Sequence, residues 1–244
     1  MRFRAPQITE EDVLYEDNHL LVLDKPAGVA TMGAAAEETT AAKLAATYLK
    51  QKYSKPGNVF IGVVSRLDSR VSGVLILART SKGASRLSEQ IRTRKVQKEY
   101  LAWVENAAEP SEAWRTATHW LRKNDSKHRM EVVRKSSSAQ QAELRWRCLA
   151  QHKNSSLLAI ELITGRKHQI RVQLAELGMP IVGDAKYGAE RKMVASRFSF
   201  GEAIALHCRR QAVKHPTRDA ELEFISDPER HWPQLPEHWK ELVK

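Results

Sequence analysis

Val64-Ser65-Arg66-Leu67-Asp68-Ser69-Arg70-Val71-Ser72-Gly73-Val74-Leu75-Ile76-Leu77-Ala78 sets a polar, charged loop directly against an uninterrupted apolar run. An apolar run as short as Val74–Arg79 reads as a strand buried on both faces. Val59–Val64 reads as a strand too, so Ser65–Gly73 is a polar loop between two apolar strands. A rigid frame of that kind is where chemistry is commonly mounted. Asp68, an acid in a basic chain, sits in the middle of the loop.

Upstream, Val13–Tyr15, a polar Glu16-Asp17-Asn18-His19 turn and Leu20–Leu23 form a hairpin, closed by Lys25-Pro26 and Gly28. A small-residue loop through Gly33–Ala36 leads to a surface helix over Thr40–Tyr53, with Leu44, Tyr48 and Leu49 at helical spacing and Lys55-Pro56-Gly57-Asn58 as its stop. Downstream, Ser81 is placed to cap a helix carrying Ala84, Leu87 and Ile91, and Val96–Val104 follows as a strand containing Tyr100. Gln140–Thr164 reads as a second hairpin around a His152–Ser155 turn. Gly165–Arg171 then opens a helix with an Ile170, Leu174 and Leu177 stripe, ended by Gly178 and Pro180. Strands near Ala203–Cys208 and Glu221–Ile225 and a short helix around Trp239 and Leu242 complete the chain. The charged, poorly periodic stretch Glu105–Ser138 reads as an insertion or a strand-poor excursion. Neither an internal repeat nor a low-complexity linker marks a boundary, so residues 1–244 are expected to form one domain.

The chain has 244 residues, 42% of them hydrophobic, with 40 Lys and Arg against 29 Asp and Glu, a formal charge of +11. That composition excludes a disordered tail, a collagen-like repeat and a disulfide-stapled miniprotein. No apolar stretch approaches membrane-spanning length, and no apolar run follows the early arginines as in a secretory signal. Two cysteines without Cys-x-x-Cys spacing fit a reducing cytoplasm. The positive balance suits a polyanionic partner, although a basic enzyme with a solvated lysine-rich surface has the same balance. Phosphate-cradling glycine motifs, a Gly-x-Ser-x-Gly elbow and a His-x-x-x-His helix are all missing, so neither nucleotide-driven chemistry nor a metal site is expected.

The Val64–Ala78 stretch resembles the His-Arg-Leu-Asp-x-x-Thr-Ser-Gly-Leu-Leu-Leu-Leu-Ala signature of the RluA family of RNA pseudouridine synthases. Val13–Gly28 is similar to that family's opening hairpin with its Asp-Lys-Pro-x-Gly exit, and Lys98-Glu99-Tyr100-Leu101-Ala102 to its Lys-x-Tyr strand. Thr164–Arg171, continuing through Gly178–Asp184 to Tyr187-Gly188, resembles its third motif. Leu206-His207-Cys208 with His215-Pro216 resembles its closing strand. These blocks fall in the family's order across residues 13–216. Ser65, Val71 and Gln173 depart from it, standing where His, Thr and His are usual.

The resemblance implies an α/β fold of the α+β type: one catalytic domain with a mixed, largely antiparallel central sheet flanked by helices. With a hairpin beginning by Val13, no separate N-terminal RNA-binding domain is expected. The resemblance further implies an enzyme that isomerises a uridine in ribosomal or transfer RNA without a metal, nucleotide or redox cofactor, and a cytoplasmic monomer is expected. Asp68 is the implied nucleophile, attacking either the sugar or the base. Arg171 is its implied ion-pair partner, and Tyr100 stacks on the base and assists proton removal. Arg66 is implied to fill the space of the flipped uridine or contact a phosphate, and Ile170 to exclude water. Lys167 and His168 suit phosphate or support contacts, and a solvated helix end explains them as well. A noncatalytic RNA-binding protein or chaperone on the same fold, and a nucleoside glycosidase, are the rival readings. The acid, tyrosine and arginine together argue against the first, and the lack of a paired second carboxylate argues against the second.

Overall fold

A computed structural model describes residues 6–33, 38–106, 108–194, 196 and 198–243. In chain order these form β1 (Val13–Glu16), β2 (Leu20–Lys25), α1 (Ala41–Lys52), β3 (Gly62–Val63), β4 (Ser72–Ala78), α2 (Ser81–Arg92) and β5 (Gln97–Glu105). Then come β6 (Arg115–Asn124), β7 (Arg129–Val133), β8 (Gln140–Gln151), β9 (Ser155–Leu162), α3 (Gln169–Glu176), β10 (Leu206–Lys214), β11 (Glu221–Ile225) and α4 (Lys240–Val243). The result is a mixed α/β fold, sheet-rich with few helices. The chain divides into two compact units, one made of Met1–Lys98, Ala195–Ala203 and Cys208–His231, the other of Glu99–Val194, Ile204–His207 and Trp232–Lys244. Among the described residues no helix is long and apolar enough to cross a membrane.

In the first unit β2 pairs antiparallel with β1 and with β4, and β10 with β11. Every residue of β2 and β4 is buried, which is why both read as continuous apolar runs rather than alternating ones. The hairpin turn forms because one oxygen of the Asp17 carboxylate accepts from the amides of His19 (2.7 Å) and Leu20 (2.8 Å). Val59–Val64 shortens to the two residues of β3, paired with Leu77 and Ala78, and Phe60 is exposed. The cap of α2 is Thr80 rather than Ser81: the threonine hydroxyl accepts from the Gly83 amide at 3.1 Å. The expected strand at Ala203–Cys208 starts instead at Leu206 and runs on through the basic Arg209–Lys214. In the expected small-residue loop, residues 34–36 lie outside the described residues.

In the second unit, five antiparallel strands follow the order β5, β9, β8, β6, β7. The β8–β9 turn is closed by reciprocal amide-to-carbonyl bonds between His152 and Ser155. Glu105–Ser138 is not strand-poor, since it contains β6 and β7. In β6 only Ala117 and Leu121 are buried, and β7 is half-buried throughout, so the apolar face is too thin to show as alternation. Charged side chains along such an edge also suppress pairing with other chains. Helix α3 packs on this end of the sheet, with Val172 joining Leu121, Ala142 and Tyr187. It stops at Gly178 (φ +75°), where Met179 N–H reaches back to Leu174 O (2.9 Å) and Gly178 N–H to Ala175 O (3.0 Å).

Candidate active site

The Asp68 loop is pinned through its own backbone. Thr31 Oγ1 donates to Leu67 O (2.8 Å) and accepts from Leu67 N–H (3.0 Å). Ser69 O accepts from the Gly28 amide at 2.7 Å, and Asp68 O accepts from Val71 N–H at 3.1 Å. Gly28 makes its contact in the left-handed region (φ +94°), and a Cβ there would fall inside the Gly201 backbone. Gly73 (φ +107°) closes the loop in the same way against the backbone of Cys208. Asp68 is held half-buried, while Arg66 is exposed to solvent and Arg70 pairs with Glu202 at 2.8 Å.

Lys25, at the end of β2, is wholly buried, and its ammonium donates to Pro26 O at 2.7 Å and Ser69 O at 3.4 Å. Burial pulls its pKa down to about 7, opposed by the carboxylates of Asp68 and Asp24, which favour its charged form. The Lys25 amine is thus packed against the loop that carries Asp68. Lys25 stood in the quoted hairpin exit without a role, and its signal was a charged residue ending an otherwise apolar strand.

In the second unit Tyr100 lies on β5 opposite Ile160 of β9 and is buried. The third motif is built around the start of α3, where His168 turns the chain in a left-handed conformation (φ 53°, ψ 22°). Gln169 braces that start: its Oε1 accepts from Thr164 Oγ1 (2.8 Å) and Arg166 N–H (2.9 Å), and its Nε2 donates to Glu143 O (3.0 Å). Ile170 and Arg171 face inward and are buried, His168 is half-buried and Lys167 is exposed. Gln173, the departure from the usual His, is fully buried. Its amide nitrogen donates to Ala117 O (3.0 Å) and lies 3.0 Å from His119 Nδ1, tying α3 to β6.

Arg171 forms a two-point ion pair with Asp184, Nε to Oδ2 at 2.6 Å and Nη2 to Oδ1 at 2.7 Å, both side chains buried. The Tyr187 ring lies against its guanidinium, 5.0 Å from the central carbon. The motif contains Asp184 and Tyr187, yet their part emerges only from the fold. Chemically, one unit offers a half-buried carboxylate on a fixed loop. The other offers a buried, oriented guanidinium, a buried isoleucine next to it in sequence, and a buried tyrosine on β5.

A family model described as RNA pseudouridylate synthase matches residues 19–176, a stretch that contains Arg66, Asp68, Tyr100, Ile170 and Arg171. The chain belongs to that family, in its RluA branch. It is an isomerase acting on RNA. It is 34% identical over 91% of its length to a ribosomal large subunit pseudouridine synthase D from Xylella fastidiosa, and 31% identical over 92% to a synthase C from Vibrio cholerae. It spans 67% and 68% of those two proteins. The solved human RNA pseudouridylate synthase domain containing 4 superposes with a TM-score of 0.70 at 25% identity, over 94% of this chain and 90% of that one. The fold and activity implied by the sequence motifs are therefore those of this pseudouridine synthase family.

Proposed function

We propose that this pseudouridine synthase modifies ribosomal RNA of the large subunit, with Asp68 as its nucleophile. The observation that carries the reading is the Arg66-Leu67-Asp68 loop, fastened by main-chain bonds at Leu67, Asp68 and Ser69 within the stretch the family model matches. The RNA assignment follows the relatives' names. In the reaction the bond from uracil N1 to the ribose breaks, the base turns, and C5 joins the same ribose carbon, its proton leaving as N1 gains one. Atoms and electrons balance without an external oxidant, reductant or phosphate donor, so the reading includes no metal or cofactor. Asp68 attacks either the sugar or the base, and a carboxylate serves both routes.

The remaining roles are assigned residue by residue. Arg171 supplies a positive charge to the reaction, its guanidinium oriented by the two-point pair with Asp184. Tyr100 stacks on the uracil and takes part in proton removal. Exposed Arg66 fills the place of a uridine drawn from its stack, a step that costs a few kcal/mol. Ile170 walls off water, which would otherwise trap the opened sugar. Lys167 and His168 contact phosphates at the head of α3. The enzyme is read as a cytoplasmic monomer.

Carbodiimide mapping of RNA from cells with and without the gene tests the assignment. Loss of modification at one or a few large-subunit uridines is expected. Loss confined to transfer RNA overturns the ribosomal target, and no loss at any uridine overturns the whole reading. Asp68→Asn is expected to abolish turnover while leaving RNA affinity within about threefold of wild type, since one neutralised acid removes no phosphate contact. Near-normal turnover removes Asp68 from the nucleophile role.

A further inference from the structure

Asp184 and Tyr187 belong to one short turn, in which Tyr187 N–H donates to Asp184 O at 2.9 Å. Both reach the Arg171 guanidinium, from different directions. Asp184 grips one edge in the plane of the group, and an edge grip alone leaves the plane able to swing about that edge. The Tyr187 ring meets the group from a second side, with the guanidinium carbon over its face at 5.0 Å from the centroid, and a contact away from the paired edge limits that swing.

The Tyr187 ring is itself held at its far end. Its hydroxyl accepts from Met130 N–H on β7 at 3.0 Å and lies 2.8 Å from Nδ1 of His168. The His168 and Tyr187 rings meet edge to face, with centroids 5.7 Å apart. Leu121, Ala142 and Val172 pack about the ring, and Met130 lies against the same cluster. A continuous series of contacts therefore runs from the main chain of β7, through one phenol, to the guanidinium plane. All of it lies within the second unit.

We propose that Tyr187 is a positioning residue for pseudouridine formation: tied by its hydroxyl to Met130 and His168, its ring sets the plane of the Arg171 guanidinium. The inference rests on the assignment of Arg171 to the reaction. A buried tyrosine that merely fills space also finds hydroxyl partners, so the test must separate orientation from packing.

Tyr187→Phe keeps the ring and removes only the hydroxyl. Single-turnover conversion of a mapped RNA transcript is expected to slow about tenfold, as for loss of a buried, orienting hydrogen bond. RNA affinity should fall far less than turnover, because the hydroxyl is bound to Met130 and His168 and touches RNA only indirectly, through one phosphate contact of His168. Wild-type turnover by a folded Tyr187→Phe protein overturns the proposal, and so does a slowing matched by an equal loss of RNA affinity. Arg171→Lys, measured in parallel, separates the two readings. Normal turnover by that variant shows that a charge without a guanidinium plane suffices, and the proposal falls with it. Slow Arg171→Lys with normal Tyr187→Phe sinks only the role of the tyrosine. Hydrogen exchange at Met130 in the unaltered protein needs no variant to fold. Its amide should be protected by the tyrosine hydroxyl, and rapid exchange overturns the tie.

Discussion

Replacing Asp184 with Ala removes the carboxylate from a pair in which that residue is fully buried and the Arg171 side chain is 5% exposed. The arginine cannot lose its charge, so a cation remains where water cannot reach it. Breaking a buried pair on one side costs about 3–5 kcal/mol. In a chain of this size each kcal/mol lowers Tm by about 2–4 °C, so a fall of about 6–20 °C is expected. Removing both charges works in the opposite direction. Asp184→Leu combined with Arg171→Met should recover most of the lost stability, because apolar replacements of a buried pair are often neutral or stabilising. That double variant should nonetheless fail to convert RNA, since the cation assigned to the reaction is gone. Thermal melting followed by calorimetry, with single-turnover assays on the same samples, reads both quantities. An Asp184→Ala protein melting within 2 °C of wild type, or a double variant as unstable as the sum of its singles, would refute the reasoning.

Four further outcomes are expected. The Lys25 pKa of about 7 in the fold lies below the ordinary 10.5, so between these values the unfolded chain holds a proton that the folded chain lacks. Its destabilising effect is full below pH 7 and is relieved as pH rises. Wild type should therefore gain on Lys25→Met by up to about 1.4 kcal/mol per pH unit between pH 7 and 9.5, and a constant difference in denaturant unfolding would contradict this. Asp17 has the opposite sign: burial raises its pKa, but the His19 and Leu20 amides, the His215 ring and the Tyr15 hydroxyl outweigh that and hold it far below the usual carboxylate range. Its stabilisation is complete above the ordinary pKa and vanishes as pH falls toward the folded value, so the deficit of Asp17→Asn seen at pH 7 should shrink in acid melts. Gly28→Ala combines a left-handed backbone with a clash against Gly201 and should lose about 2–5 kcal/mol. Gly165→Ala, with open space around it, should melt like wild type.

What was legible in the chain follows from how each element is stabilised. β2 and β4 are buried on both faces, so their apolar runs leave little choice, and the Asp17 turn between β1 and β2 announces itself by residue type. Helix α3 ends where Gly178 and Pro180 said it would. The β6–β7 hairpin did not show, because an edge hairpin draws its stability from register with β8 and from Val172 and Tyr187 packed over it, contacts distant in sequence. Thr80 and Ser81 are both good caps by type, and only backbone geometry distinguishes them. At the candidate site Asp68, Tyr100 and Arg171 stood out by resemblance. Lys25, Thr31, Asp184 and Tyr187 support them through contacts across 13 to 57 residues of chain, as with Arg171 to Asp184 and Met130 to Tyr187, which spacing cannot reveal.

The anchors of the Asp68 loop grip carbonyl and amide groups rather than side chains: Thr31 holds the Leu67 peptide, and Gly28 and Lys25 hold the Ser69 carbonyl. Every residue type carries those peptide groups. The side chains at positions 65 and 69 can therefore change, or be randomised in a library, without shifting the aspartate between them. A loop so held lets its neighbouring side chains change without moving the aspartate, and Ser65, standing where the family usually has His, occupies one such position.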